Sequence, residues 1–191
     1  MARKNEFRPD RSSSGLLNKL YLTKSQRQTF LKWLLYSLLV LVLSVTQDVV
    51  LSQFTFLGVT TDLVPFGIIL ICLLEGTERG CIFTLLAACF YLFSGAPGNY
   101  CLPYVTVIAV GVTLFRQSYL SNGFSTTLLC LVVAITVYEL VLAFTGIVLS
   151  LAGWDRIPGF LLTALLTVLT VPVLYPAGRA IAKIGGESWK E

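Results

Sequence analysis

Histidine is absent from all 191 residues. Its absence excludes Ser-His-Asp and Cys-His nucleophile systems, imidazole metal ligands and the usual neutral-pH general base. Charge is scarce too: Asp, Glu, Lys and Arg make up 13% of the chain, against about 25% in an ordinary soluble domain. The five cysteines, Cys72, Cys81, Cys89, Cys101 and Cys130, form no CxxC pair or other metal-ligand spacing. They lie in or beside apolar runs and read as small packing residues, so they imply neither a disulfide framework nor an oxidising compartment. What is abundant is hydrocarbon. Hydrophobic residues make up 55% of the chain and the mean hydropathy is +0.80, which leaves too few polar side chains to cover a soluble fold. The composition predicts an all-α integral membrane protein built as one compact bundle. At about 20 residues per crossing it has room for six or seven spans, and none for a soluble catalytic domain beside them.

Residues 1–32 hold eight of the fourteen basic residues against only Glu6 and Asp10, so this segment belongs outside the hydrocarbon. Through Ser12-Ser13-Ser14-Gly15 it reads as polar and disordered. Leu16, Leu17, Leu20 and Tyr21 then recur near helical spacing between Lys19, Lys24 and Arg27. That pattern fits a short interfacial helix on anionic lipid, or a solvated basic tail that only sets orientation. A secretory signal peptide is not expected, because the first apolar run starts late, is long and has no small-residue cleavage site after it.

The apolar runs predict spans at 31–51, with Trp33 and Tyr36 as interfacial anchors, and at 101–115, 124–151 and 160–175, the last bent by Pro172 and Pro176. Between the first and the others lie two short runs, 62–74 and 81–93, around the polar turn Gly76-Thr77-Glu78-Arg79-Gly80. The first of these rises only about 20 Å as helix, so the pair is either two thin crossings or one re-entrant hairpin. With six crossings and the N-terminus inside, thirteen basic residues fall on the inside, Arg79, Arg116, Arg179, Lys183 and Lys190 among them, and only Arg156 outside. Short cytoplasmic loops collect Lys and Arg in this way. The expected organisation is a basic cytoplasmic segment over 1–30, a six-helix membrane domain over 31–178 and a cytoplasmic tail over 179–191.

Few residues in this frame carry chemistry. Glu139, in Val137-Tyr138-Glu139-Leu140, is the acid near the middle of a long apolar helix. An ionised carboxylate there costs about 2.5 kcal/mol or more, so its side chain is expected to face protein, for proton relay, ligand contact, interhelical hydrogen bonding or a partner subunit. Asp48 and Asp62 fall close to the outer surface, where helix-terminal or interface contacts are expected. Glu75 and Arg79 stand four apart, acid before base; Gly76 and Gly80 equally suit a tight turn, where a surface ion pair contributes under about 1 kcal/mol. Ser94-Gly95-Ala96-Pro97-Gly98 cannot continue a helix, and no lysine follows it as in a phosphate loop.

The order of these features resembles the bacterial rod shape-determining protein MreD family. The likeness runs from about residue 30 to 183 and is most specific between Asp62 and Gly98, where the family commonly has an Asp opening the second span and an acid shortly before a Ser-Gly-x-x-Gly turn. Asp62, Ser94, Gly95 and Gly98 match; Thr61 stands where a proline is frequent, and Tyr91 where the second acid is expected. The resemblance implies a non-enzymatic component of the cell-elongation machinery in the bacterial cell membrane, without cofactor or nucleic acid. Its implied partners are an MreC-like bitopic protein, an MreB-like filament, and the peptidoglycan polymerase and transpeptidase. The family is similar in fold to the substrate-binding subunits of energy-coupling-factor vitamin transporters, which supplies a second expectation, a six-helix vitamin-binding subunit. The scarcity of ligand-capable polar groups in the outer half favours the scaffold. A third, an ion or proton carrier centred on Glu139, requires a second buried polar partner that the sequence does not single out.

Overall fold

A computed structural model describes residues 24–53, 58–93, 96–120 and 123–184, which fold into helices joined by short turns. Helix α1, Lys24–Val45, runs on through a π turn, Thr46–Val50, and a 3-10 turn, Leu51–Gln53. Then come α2, Leu63–Glu75, and α3, Thr77–Phe93. They are followed by α4, Cys101–Tyr119, and α5, Phe124–Val148. A 3-10 turn, Trp154–Arg156, leads into α6, Ile157–Leu169, and α7, Val171–Ala182.

Position in the bundle follows from which sides of each helix are apolar. A helix that is apolar all round has no polar face to turn outward and goes to the centre. Helix α2 is such a helix: 12 of its 13 residues are buried. Helices α1, α3, α4, α5 and α7 pack around it, and α6 links α5 to α7. The outer faces are apolar as well, with Leu34, Leu38 and Val45 of α1 and Leu129, Val133 and Phe144 of α5 exposed. A bilayer tolerates such an outside and water does not.

Contacts at the two ends of α2 give the direction of each neighbour. The end of α1 meets Asp62 through Gln47, and its earlier Lys32 meets Glu75, so α1 and α2 are antiparallel. Chain reversal into α3 takes a single residue, Gly76, at φ 81°, a left-handed conformation that favours glycine. One turn later Gly80 lets the hairpin close: a Cβ there would stand 3.0 Å from the Cys72 carbonyl oxygen. Helix α4 returns to the Glu75 end, where Thr113 and Arg116 contact Cys72 and Leu73. Tyr104 near the start of α4 bonds Thr145 near the end of α5 at 3.0 Å, which sets these two antiparallel. Helix α7 comes back to the Glu75 end, its Gly178 against Leu70 and Leu74.

Among the described residues, three helices are long and apolar enough to cross a membrane: Arg27–Gln53, Cys101–Tyr119 and Phe124–Val148. The pair Trp154–Leu169 and Val171–Ala182, bent by 52° at its break, makes a fourth if it is one span. These apolar helices are compatible with a multi-pass membrane protein. The expected bend near Pro172 and Pro176 is present: Pro172 opens α7, where a missing N–H costs nothing, and Pro176 lies inside it. The expected interfacial segment before residue 24 lies outside the described residues, as do Ser94, Gly95 and the tail from 185.

Candidate functional site

Helix α2 rises only about 20 Å over its 13 residues, less than the roughly 30 Å of a hydrocarbon core. An acid stands at each end, Asp62 and Glu75, and both engage other helices.

At the first end, the π turn after α1 carries Gln47 over the start of α2. Gln47 Nε2 donates to Asp62 Oδ1 at 2.9 Å, while its Oε1 accepts the Val64 N–H at 3.0 Å. That second bond satisfies one of the donors that a helix start leaves open. The Tyr91 hydroxyl of α3 donates to the same carboxylate, 3.2 Å from Oδ1 and 3.4 Å from Oδ2. The Asp62 N–H donates to Thr167 Oγ1 of α6 at 3.1 Å, and the Thr167 hydroxyl donates onward to the Thr163 carbonyl at 2.8 Å. One aspartate thereby ties α1, α2, α3 and α6. These bonds are part-buried and run between helices of the bundle, since the chain continues past Gln47 to Gln53 and α6 begins well before Thr167.

At the other end, Glu75 is 8% exposed and its Oε1 is 2.7 Å from both Lys32 Nζ and the Tyr36 hydroxyl of α1. Burial makes this pair unlike a surface ion pair, because each charge has lost water and depends on the other. The sequence suggests Arg79 as the partner of Glu75. The acid instead faces α1 across the hairpin, and Arg79, one turn into α3, is exposed. Lys32 is 8% exposed and stands inside the bundle rather than with the solvent-facing basic residues among which its place in the N-terminal segment puts it. Around the pair, Trp33 stacks on Phe83 at 5.4 Å and Tyr36 tilts against Phe83 at 5.9 Å. Arg116 Nη1 completes this end by donating to the Leu73 carbonyl at 2.7 Å, one of the acceptors a helix end leaves open.

No family model, curated protein or solved structure matches the chain. Its reading therefore rests on the residues themselves.

Glu139 points into the bundle from α5. It is 2% exposed, and its Oε1 has no hydrogen-bond partner among the described residues. The preceding Tyr138 is buried in the same cluster as Tyr91 and Cys101. Asp62, Tyr91 and Tyr138 thus gather at one end of α2, with Glu139 next to Tyr138 in the chain. Gly98 stands nearby, where its carbonyl accepts the Cys101 N–H that starts α4, at 3.1 Å. Tyr91, at the position where the family resemblance places an acid, addresses Asp62 through its hydroxyl. Gln47, Thr167, Lys32 and Tyr36 are the members that reading along the chain does not find. Their partners lie 15 to 105 residues away, and no local pattern announces them. Among the described residues no group of three or more Cys, Asp or Glu is placed to hold a metal ion, and all five cysteines are free.

Proposed function

We propose that this chain is a non-enzymatic scaffold of the bacterial cell-elongation machinery, with six membrane crossings and both termini in the cytoplasm. In this reading it joins an MreC-like bitopic protein and an MreB-like filament to the peptidoglycan polymerase and transpeptidase outside, and so maintains rod shape. The observation that carries the reading is the use of the acids at both ends of α2. Asp62 and Glu75 bind other helices of the same chain, an arrangement that stiffens a bundle. Support comes also from the MreD-like order of features between Asp62 and Gly98, and from the bias of basic residues toward the Glu75 side. Because lipid is as apolar as leucine, partners of such a bundle are chosen by close packing and a few polar contacts. The mechanism is positional or allosteric, without covalent chemistry.

One observation favours a second reading. The Glu139 Oε1, unpartnered among the described residues, suits a subunit that binds a small vitamin near the outer surface, as in energy-coupling-factor transporters. Depletion of the protein in its host separates the two. The scaffold reading predicts rounded or irregular cells with normal vitamin uptake; unchanged rods with defective vitamin uptake would reject it.

A further inference from the structure

Helices α1 and α3 run in the same direction on one side of α2, and they touch chiefly where Trp33 and Tyr36 meet Phe83. Beside that contact they part, leaving a groove of about 610 Å³ on the outer face. Val40, Leu41, Ile82, Leu86 and Phe90 make its walls apolar. Among the described residues of the lining, Arg79 is the charged one and stands at one end, and Ser37 supplies a hydroxyl.

We propose that this groove binds an anionic phospholipid, with its phosphate on Arg79 and an acyl chain lying along Phe83, Leu86 and Phe90. Length is the first argument. From Arg79 to Phe90 the wall of α3 rises about 16 Å, close to the roughly 15 Å that one leaflet contributes to the hydrocarbon core. A transmembrane helix needs a face about twice as long. Charge is the second. A cation at only one end of an apolar groove matches a molecule with an anion at one end and hydrocarbon behind it. A guanidinium has five N–H donors in a planar fork, so it engages phosphate oxygens in pairs while keeping a further partner. Placement is the third, since Trp33 at the Arg79 end has the amphipathic ring that settles at headgroup depth. The groove shares Trp33 and Phe83 with the surroundings of the Lys32–Glu75 pair, but neither Asp62 nor Glu75 lines it, and its occupancy does not depend on the scaffold reading.

The test is native mass spectrometry of the full chain in detergent, titrated in parallel with dioleoyl phosphatidylglycerol and dioleoyl phosphatidylcholine. The wild type is expected to retain one phosphatidylglycerol in preference to phosphatidylcholine. Arg79→Gln should lower retention of the anionic lipid about tenfold with little change in melting temperature, and Arg79→Lys should keep part of the preference. Arg156→Gln, at the far end of the bundle, should leave it intact. Leu86→Trp, which fills an exposed part of the groove, should weaken both lipids. Equal retention of the two lipids by the wild type, or an undiminished preference in Arg79→Gln, overturns the proposal. So does a photo-crosslinker at position 86 that captures protein instead of lipid in native membranes.

Discussion

A lysine ammonium and a glutamate carboxylate withdrawn together from water are stable only while each has the other, and Lys32 with Glu75 is such a pair. Removing one charge leaves its partner buried alone, at a cost of about 3–5 kcal/mol. Lys32→Met and Glu75→Gln should each lower the thermal unfolding midpoint in detergent. The double variant should lose less than either single one, because the amide introduced at position 75 still accepts from Tyr36 and no bare charge remains. If the double variant were worse than both, the pair would not be acting as a unit. Asp62 works by hydrogen bonding. Asp62→Ala strips Gln47 and Tyr91 of their acceptor, at about 1–3 kcal/mol for the buried Tyr91 hydroxyl and less for the half-buried Gln47 amide, whereas Asp62→Asn keeps an oxygen for them and should cost clearly less in the same melt. Glu139 contrasts with both. Its Oε1 has no hydrogen bond among the described residues to lose, so Glu139→Gln should shift stability by less than about 1 kcal/mol. A Glu139→Gln protein that melts normally and leaves cell shape intact removes this residue from the functional set.

Among the elements, the α2–α3 hairpin turns on a single residue. Gly80→Leu would drive a side chain into the Cys72 backbone, with a Cβ already 3.0 Å from its carbonyl oxygen. Overpacking of this kind costs about 1–3 kcal/mol. The expected result is a lower melting point, and early loss of amide protection in α2 and α3 by hydrogen exchange. Much of the element pattern is legible in the chain, because uninterrupted hydrocarbon marks helices whatever their neighbours are. Helix α5 lies within the run 124–151, and α2 has the short length read from 62–74. Boundaries depend on local chemistry that hydropathy does not register. The five-residue polar turn shrinks to Gly76, since Thr77, Glu78, Arg79 and Gly80 already form the first turn of α3. Helix α4 continues past the end of the apolar run to Tyr119, and Arg116 within it reaches the Leu73 carbonyl. The central position of α2 can be anticipated from its all-round apolar character. Gln47, Thr167 and Lys32 cannot be anticipated as partners of its acids, because sequence distance says nothing about which helices become neighbours.

For the whole molecule, the two acid clusters hold a short, almost wholly buried helix of 13 residues among its neighbours, an arrangement that shields a segment too short to span a hydrocarbon core by itself. It also places the Gly76 turn on the same side as the start of α1 and the end of α7. The membrane orientation proposed for the chain is tested most directly at that turn. In a variant with all five cysteines replaced, a single cysteine at Glu78 or at Asp155 is exposed to a membrane-impermeant thiol reagent in intact cells. The account predicts labelling at position 155 in intact cells, and at position 78 only after the membrane is opened. Labelling of position 78 from outside in intact cells would contradict it.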